Sequence, residues 1–61
     1  MKRITIIFKD GVRKDGKGFA QYHGADIRLV YQGGFAIVCW REGKRIAHPA
    51  QDIETVEDID L

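Results

Sequence analysis

Apolar and polar positions alternate with a period of two along most of this chain, and glycines punctuate the alternation. The densest stretch runs Ile27-Arg-Leu-Val-Tyr-Gln-Gly-Gly-Phe-Ala-Ile-Val-Cys-Trp-Arg41. Two runs rich in β-branched and aromatic residues flank Gly33-Gly34, a strong signal for a β-hairpin closed by a two-residue turn. Such a turn sets Gln32 opposite Phe35, Leu29 opposite Val38 and Ile27 opposite Trp40. One face then carries Ile27, Leu29, Tyr31, Ala36, Val38 and Trp40, with no charge among them, and is predicted to be core. The other carries Arg28, Val30, Gln32, Phe35, Ile37, Cys39 and Arg41. It is too apolar for a plain solvent face and too charged for a plain core.

The flanking segments follow the same period. Lys2–Phe8 predicts a strand with Ile4, Ile6 and Phe8 on one face. Lys9-Asp10-Gly11 turns the chain, and a three-residue loop ending in a left-handed glycine keeps Phe8 and Val12 together on the core face. A two-residue turn would send Val12 outward, since a one-residue slip flips every side chain. Residues 13–18 are polar, with two glycines, and predict a loop. Phe19–His23 fits either a short strand or a folded-over loop, with Phe19 as its buried anchor. After Trp40, a three-residue turn within Arg41-Glu-Gly-Lys44 returns Ile46 to the core face beside Val38 or Trp40. Arg45–His48 is then a strand stopped by Pro49, which lacks an N–H and suits the first position of a helical turn. Pro49–Ile53 predicts one 3₁₀-like turn, and Glu54–Ile59 a last strand with Val56 inward.

This order predicts one all-β domain over residues 1–61: a small five-stranded SH3-like barrel, or a strongly twisted antiparallel meander, with one 3₁₀ turn before the last strand. An OB fold ranks second, being larger and usually carrying a mid-chain helix. A meander that dimerises ranks third.

Size and charge sharpen the picture. A chain of 61 residues buries only about 60% of its unfolded surface and is marginal without a disulfide, a metal or a partner. The single cysteine excludes an intramolecular disulfide, and within a strand Cys39 reads as a small apolar residue. Without a secretory leader or a membrane-length apolar run, a soluble cytoplasmic protein is expected. The net charge of +1 is unevenly placed. Lys2, Arg3, Lys9, Arg13, Lys14 and Lys17 against Asp10 and Asp15 leave +4 over residues 1–17, and residues 18–51 add +2. Asp52, Glu54, Glu57, Asp58 and Asp60 give residues 52–61 a charge of −5. Either the basic body faces a polyanion or acidic partner, or the acidic segment packs beside the basic start and cancels it.

No constellation names a reaction. Serine is absent, and Cys39 has no base at a recognisable spacing. His23 and His48 read as surface or edge histidines. Structural zinc wants four closely spaced ligands, which Cys39, His23 and His48 do not supply. Gly16-Lys-Gly18 begins like a dinucleotide fingerprint, but it lacks the third glycine and any βαβ setting. A non-enzymatic protein without metal or cofactor is expected.

Three pieces, Ile4-Thr-Ile-Ile-Phe-Lys-Asp-Gly11, Tyr31-Gln-Gly-Gly-Phe-Ala-Ile-Val38 and His48-Pro-Ala-Gln-Asp-Ile53, resemble small proteins encoded by bacteriophages and prophages. They cover about a third of the chain and are strand-and-turn patterns. The resemblance implies a mobile-element origin, an SH3-like barrel and, by class, docking on host machinery such as defence complexes. It transfers no site residue.

Two binding readings therefore stand. In the first, the outer hairpin face docks on a host protein through Arg28, Val30, Phe35, Ile37 and Arg41, with Phe35 and Ile37 as anchors and Arg28 and Arg41 as oriented charges: an apolar centre with a polar rim, enriched in Arg and aromatics, has interface composition. A homodimer through the same face is a sub-case. In the second, Arg13, Lys14, Lys17, Arg28, Arg41 and Arg45 contact nucleic-acid phosphates. No membrane partner is expected.

Overall fold

Alternation in the first segment sends Ile4, Ile6 and Phe8 to one side, and a half-buried face of that kind needs strands on both flanks. The computed structural model describes residues 1–11 and 18–61. It contains six strands: β1 (Lys2–Phe8), β2 (Phe19–Gly24), β3 (Arg28–Gln32), β4 (Phe35–Cys39), β5 (Arg45–Pro49) and β6 (Ile53–Asp60), with a 3₁₀ turn at Ala50–Asp52 between the last two. They form two antiparallel three-stranded sheets, ordered β2-β1-β6 and β3-β4-β5. The all-β class is as expected. The count of five is corrected to six, and the sheets do not close into a barrel.

The extra strand is Phe19–Gly24, in which half-buried Ala20 and Tyr22 alternate with exposed Phe19, Gln21 and His23, so that apolar Phe19 falls on the outward parity and obscures the pattern. It pairs with β1 from Ile7↔Phe19 to Lys2↔Gly24, and the Phe8 N–H donates to the Gly18 carbonyl. Ala20 and Tyr22 thereby pack against the core. Phe19 takes the opposite parity and is 49% exposed rather than a buried anchor. Gly11 has the expected positive φ of 80°. The expected place of Val12 lies outside the described residues.

The central hairpin follows its expected register, from Gln32↔Phe35 through Leu29↔Val38 to Arg28↔Cys39. Gly33 and Gly34 have φ of 59° and 81°, the pair of left-handed residues that a type I′ turn requires. The next turn is the expected three-residue version: Trp40 N–H donates to the Lys44 carbonyl, Gly43 N–H donates to the Trp40 carbonyl, and Gly43 has φ of 106°. Ile46 consequently lies opposite Val38.

Between the sheets, Ile4, Ile6, Phe8, Ile27 and Val38 form the buried cluster, with Tyr22, Leu29, Trp40, Ile53 and Val56 packed against it. Tyr31 was expected in the core but is exposed. Its parity is right, but it lies at the hairpin end of β3, beyond the cluster. Pro49 ends β5 with φ −58° and ψ 126°, extended rather than helical, and the 3₁₀ turn starts one residue later. The turn is anchored by Ala50 N–H to the Gly34 carbonyl and Lys9 N–H to the Asp52 carbonyl. The acidic segment does pack beside the basic start. β6 pairs with β1 along its length, with a bulge near Phe8, and Lys2 and Asp58 form a 3.2 Å ion pair.

Gly24 sets the corner between β2 and β3. A Cβ there would meet Ile27 Cγ2 at 2.5 Å and Trp40 Nε1 at 3.2 Å. The glycine lets the chain turn from one sheet into the other while Ile27 drops into the core.

Candidate functional site

Across β3-β4-β5 the outward side chains fall into three rows, set by the register Arg28↔Cys39↔Arg45, Val30↔Ile37↔Ala47 and Gln32↔Phe35↔Pro49. Consecutive rows lie two residues apart along the strands, roughly 7 Å. The face is therefore graded: cationic at one end, aliphatic in the middle, aromatic and polar at the hairpin end.

Each row contributes differently. Arg28 and Arg45 are exposed, and among the described residues neither makes an ion pair. Cys39 is half-buried between them, with only a weak 3.9 Å contact to the Ile37 carbonyl. In the middle row Val30 is half-buried. Ile37 is 8% exposed, because the central strand has neighbours on both sides, so it forms the floor rather than a projecting anchor. Phe35, 44% exposed, is the projecting apolar group. Arg41 belongs to the turn after β4 and is held by Asp26 at 3.2 Å. The structure thus brings together Arg28, Val30, Phe35, Ile37 and Arg45, with Arg41 at their margin. Arg13, Lys14 and Lys17, expected to form a basic loop, lie outside the described residues.

At the cationic end a cleft of about 430 Å³ is lined by Arg28, Arg41 and Arg45 together with Val30, Gln32, Cys39, Trp40 and Gly43, with no carboxylate among these residues. A neighbouring cleft of about 510 Å³ shares Arg28, Cys39, Trp40 and Arg41 and adds Lys2 and Asp26, so its charge is mixed. Trp40 forms a stiff wall: its indole N–H donates to the His23 carbonyl at 3.2 Å, Tyr22 meets it edge-on, and the Lys44 ammonium lies 4.8 Å from its ring centroid.

Two features were not read from the sequence. On the outer side of the other sheet, Thr5, Ile7, Gly18, Phe19 and Gln21 line a mainly apolar groove; setting Phe19 inward concealed it. Inside, the Tyr22 hydroxyl and His48 Nε2 are 2.6 Å apart, and His48 meets Phe8 edge-on at 5.2 Å. His48 therefore lies on an edge strand, as expected, but its side chain turns inward and links the two sheets. Its inward parity, opposite Ala36, was the available signal. Among the described residues no group of three or more His, Cys, Asp or Glu side chains is placed to hold a metal ion, and no helix is long and apolar enough to cross a membrane.

Comparison with family models, curated proteins and solved structures finds no match. The geometry alone therefore carries the functional reading.

Proposed function

We propose that the chain is a non-enzymatic docking module that binds an acidic, partly apolar segment of another protein on the β3-β4-β5 face. The observation that carries this is the gradient itself: exposed Phe35 beside an aliphatic floor, ending in two arginines without an ion-pair partner among the described residues. A solvent face has no use for the aliphatic row, and a covered core face would leave two guanidinium groups stranded. Interfaces combine such aromatic and Arg groups around an apolar centre. The architecture is SH3-like in this reading, with β2 and β3 as two halves of one strand bent at Gly24–Ile27 and the 3₁₀ turn before the last strand. A phage or prophage protein acting on a host protein in the host cytoplasm, as an inhibitor of host or defence machinery, fits the same proposal.

Selection of a random peptide library on the whole chain tests it. Enriched peptides carry Asp or Glu with aliphatic or aromatic residues, and Phe35→Ala weakens them by about 2 kcal/mol, roughly thirtyfold in Kd, without lowering the cooperativity of unfolding. Basic or neutral winners, or binding indifferent to Phe35, would overturn the proposal. The carboxylate-free cleft favours one second reading, in which these arginines contact a nucleic-acid backbone. Affinity for an oligonucleotide would then fall steeply with salt.

A further inference from the structure

We infer that the cleft between Arg28 and Arg45 is a binding site for a phosphate monoester dianion. The inference goes beyond the docking proposal, because it needs neither Phe35 nor the aliphatic row.

Geometry comes first. Arg28 and Arg45 flank Cys39 on the two strands beside β4, so their Cα atoms stand about 9–10 Å apart, two strand spacings. Cys39 is short and half-buried, which leaves a trough between two long cationic stems that can lean in over it. Gln32 lies further along the same cleft and supplies a neutral amide, while Trp40 and Gly43 close the turn side.

Charge decides the ligand class. Arg41 is already paired with Asp26 at 3.2 Å, which leaves Arg28 and Arg45 as the two guanidinium groups of this cleft without an ion-pair partner among the described residues. No carboxylate lines the cleft. A phosphate monoester carries about −1.5 to −2 near neutral pH and presents three acceptor oxygens, matching two positive forks in charge and donor number. A single carboxylate carries half that charge and uses one fork. Arginine favours phosphate through two parallel N–H donors per group, a geometry lysine does not offer.

The test is a nuclear magnetic resonance titration of the whole chain, isotope-labelled, at constant ionic strength. Inorganic phosphate serves as the free ligand, N-acetyl-O-phosphoserine amide as the side-chain form and N-acetyl-aspartate amide as the carboxylate control. Saturable shifts are expected at the Arg28 and Arg45 Nε–H groups and the Cys39 amide with both phosphates. The doubly substituted Arg28→Gln, Arg45→Gln chain weakens binding about tenfold or more, while Lys9→Gln, which removes a cation outside the cleft, leaves it unchanged. Tighter binding of the phosphoserine amide than of inorganic phosphate assigns the site to a phosphorylated side chain; the reverse assigns it to a free phosphate. Equal response to chloride, an equally tight carboxylate, or indifference to the double substitution would overturn the inference. So would an oligonucleotide that binds far more tightly with a steep salt dependence, which would mark a polyanion surface instead. Inorganic phosphate has no apolar part, so this outcome stands apart from the fate of the docking proposal at Phe35.

Discussion

At the scale of single residues, placement and parity are separate properties, and the sequence carries the second more clearly than the first. Tyr31 has core parity yet is 63% exposed, and Ile37 has outward parity yet is 8% exposed. The difference lies in position within the sheet. Tyr31 sits near a hairpin end where nothing covers it, while Ile37 sits mid-strand with Val30 and Ala47 on either side. Gly24 shows the converse, a residue without a side chain whose neighbours decide its role. Its missing Cβ makes room for Ile27 and Trp40, and no period-two pattern reports that approach. Gly24→Ala forces one of those side chains aside and is expected to lower stability by about 1–3 kcal/mol, the usual range for overpacking. A urea titration followed by Trp40 fluorescence measures it. A midpoint equal to that of the parent would show that the corner has slack.

At the scale of elements, turn chemistry made the hairpins legible. Gly33-Gly34 and Gly43 specified loop lengths, and loop lengths specified register, so Leu29↔Val38 and Val38↔Ile46 followed. Phe19–Gly24 follows a polar stretch holding Gly16 and Gly18 that fixes no loop length and hence no register, and Phe19 on the outward parity breaks the apolar alternation of Ala20 and Tyr22. Its strand state comes from the long-range ladder with β1, a tertiary effect that local propensity does not encode. The hairpin turn supplies a direct check. Gly33 and Gly34 both have left-handed φ, and Asn at the first position is well tolerated in a type I′ turn. Gly33→Asn is therefore expected to leave the thermal midpoint close to that of the parent. Gly34→Val, a β-branched residue at positive φ, is expected to lower it by several degrees, since strain of about 1–2 kcal/mol shifts a domain of this size by about 4–8 °C per kcal/mol. Equal effects of the two substitutions would contradict the turn assignment.

At the scale of the whole molecule, charge is organised by strand order. β6 brings the acidic segment against β1, and Lys2 pairs with Asp58, so part of the apparent asymmetry along the chain is local neutralisation. Exposed ion pairs of this kind contribute little, about 0–1 kcal/mol. Two of the cations without an ion-pair partner among the described residues, Arg28 and Arg45, lie on the other sheet and flank one thiol. Their row was legible once the hairpin registers were known. The mainly apolar groove at Thr5, Ile7 and Phe19 was not, because it depends on a strand the sequence left open. The molecule thus presents two different outer faces, one graded from cationic to aromatic and one that carries a mainly apolar groove among polar and charged residues, and docking on the first is the central claim. The most direct measurement is a chemical-shift map of the whole chain with the acidic peptide that library selection enriches. Shifts concentrated at Arg28, Val30, Phe35, Ile37 and Arg45, with Thr5, Ile7 and Phe19 unmoved, are the expected result. A footprint centred on Thr5, Ile7 and Phe19 would contradict the account and move the binding surface to the opposite sheet.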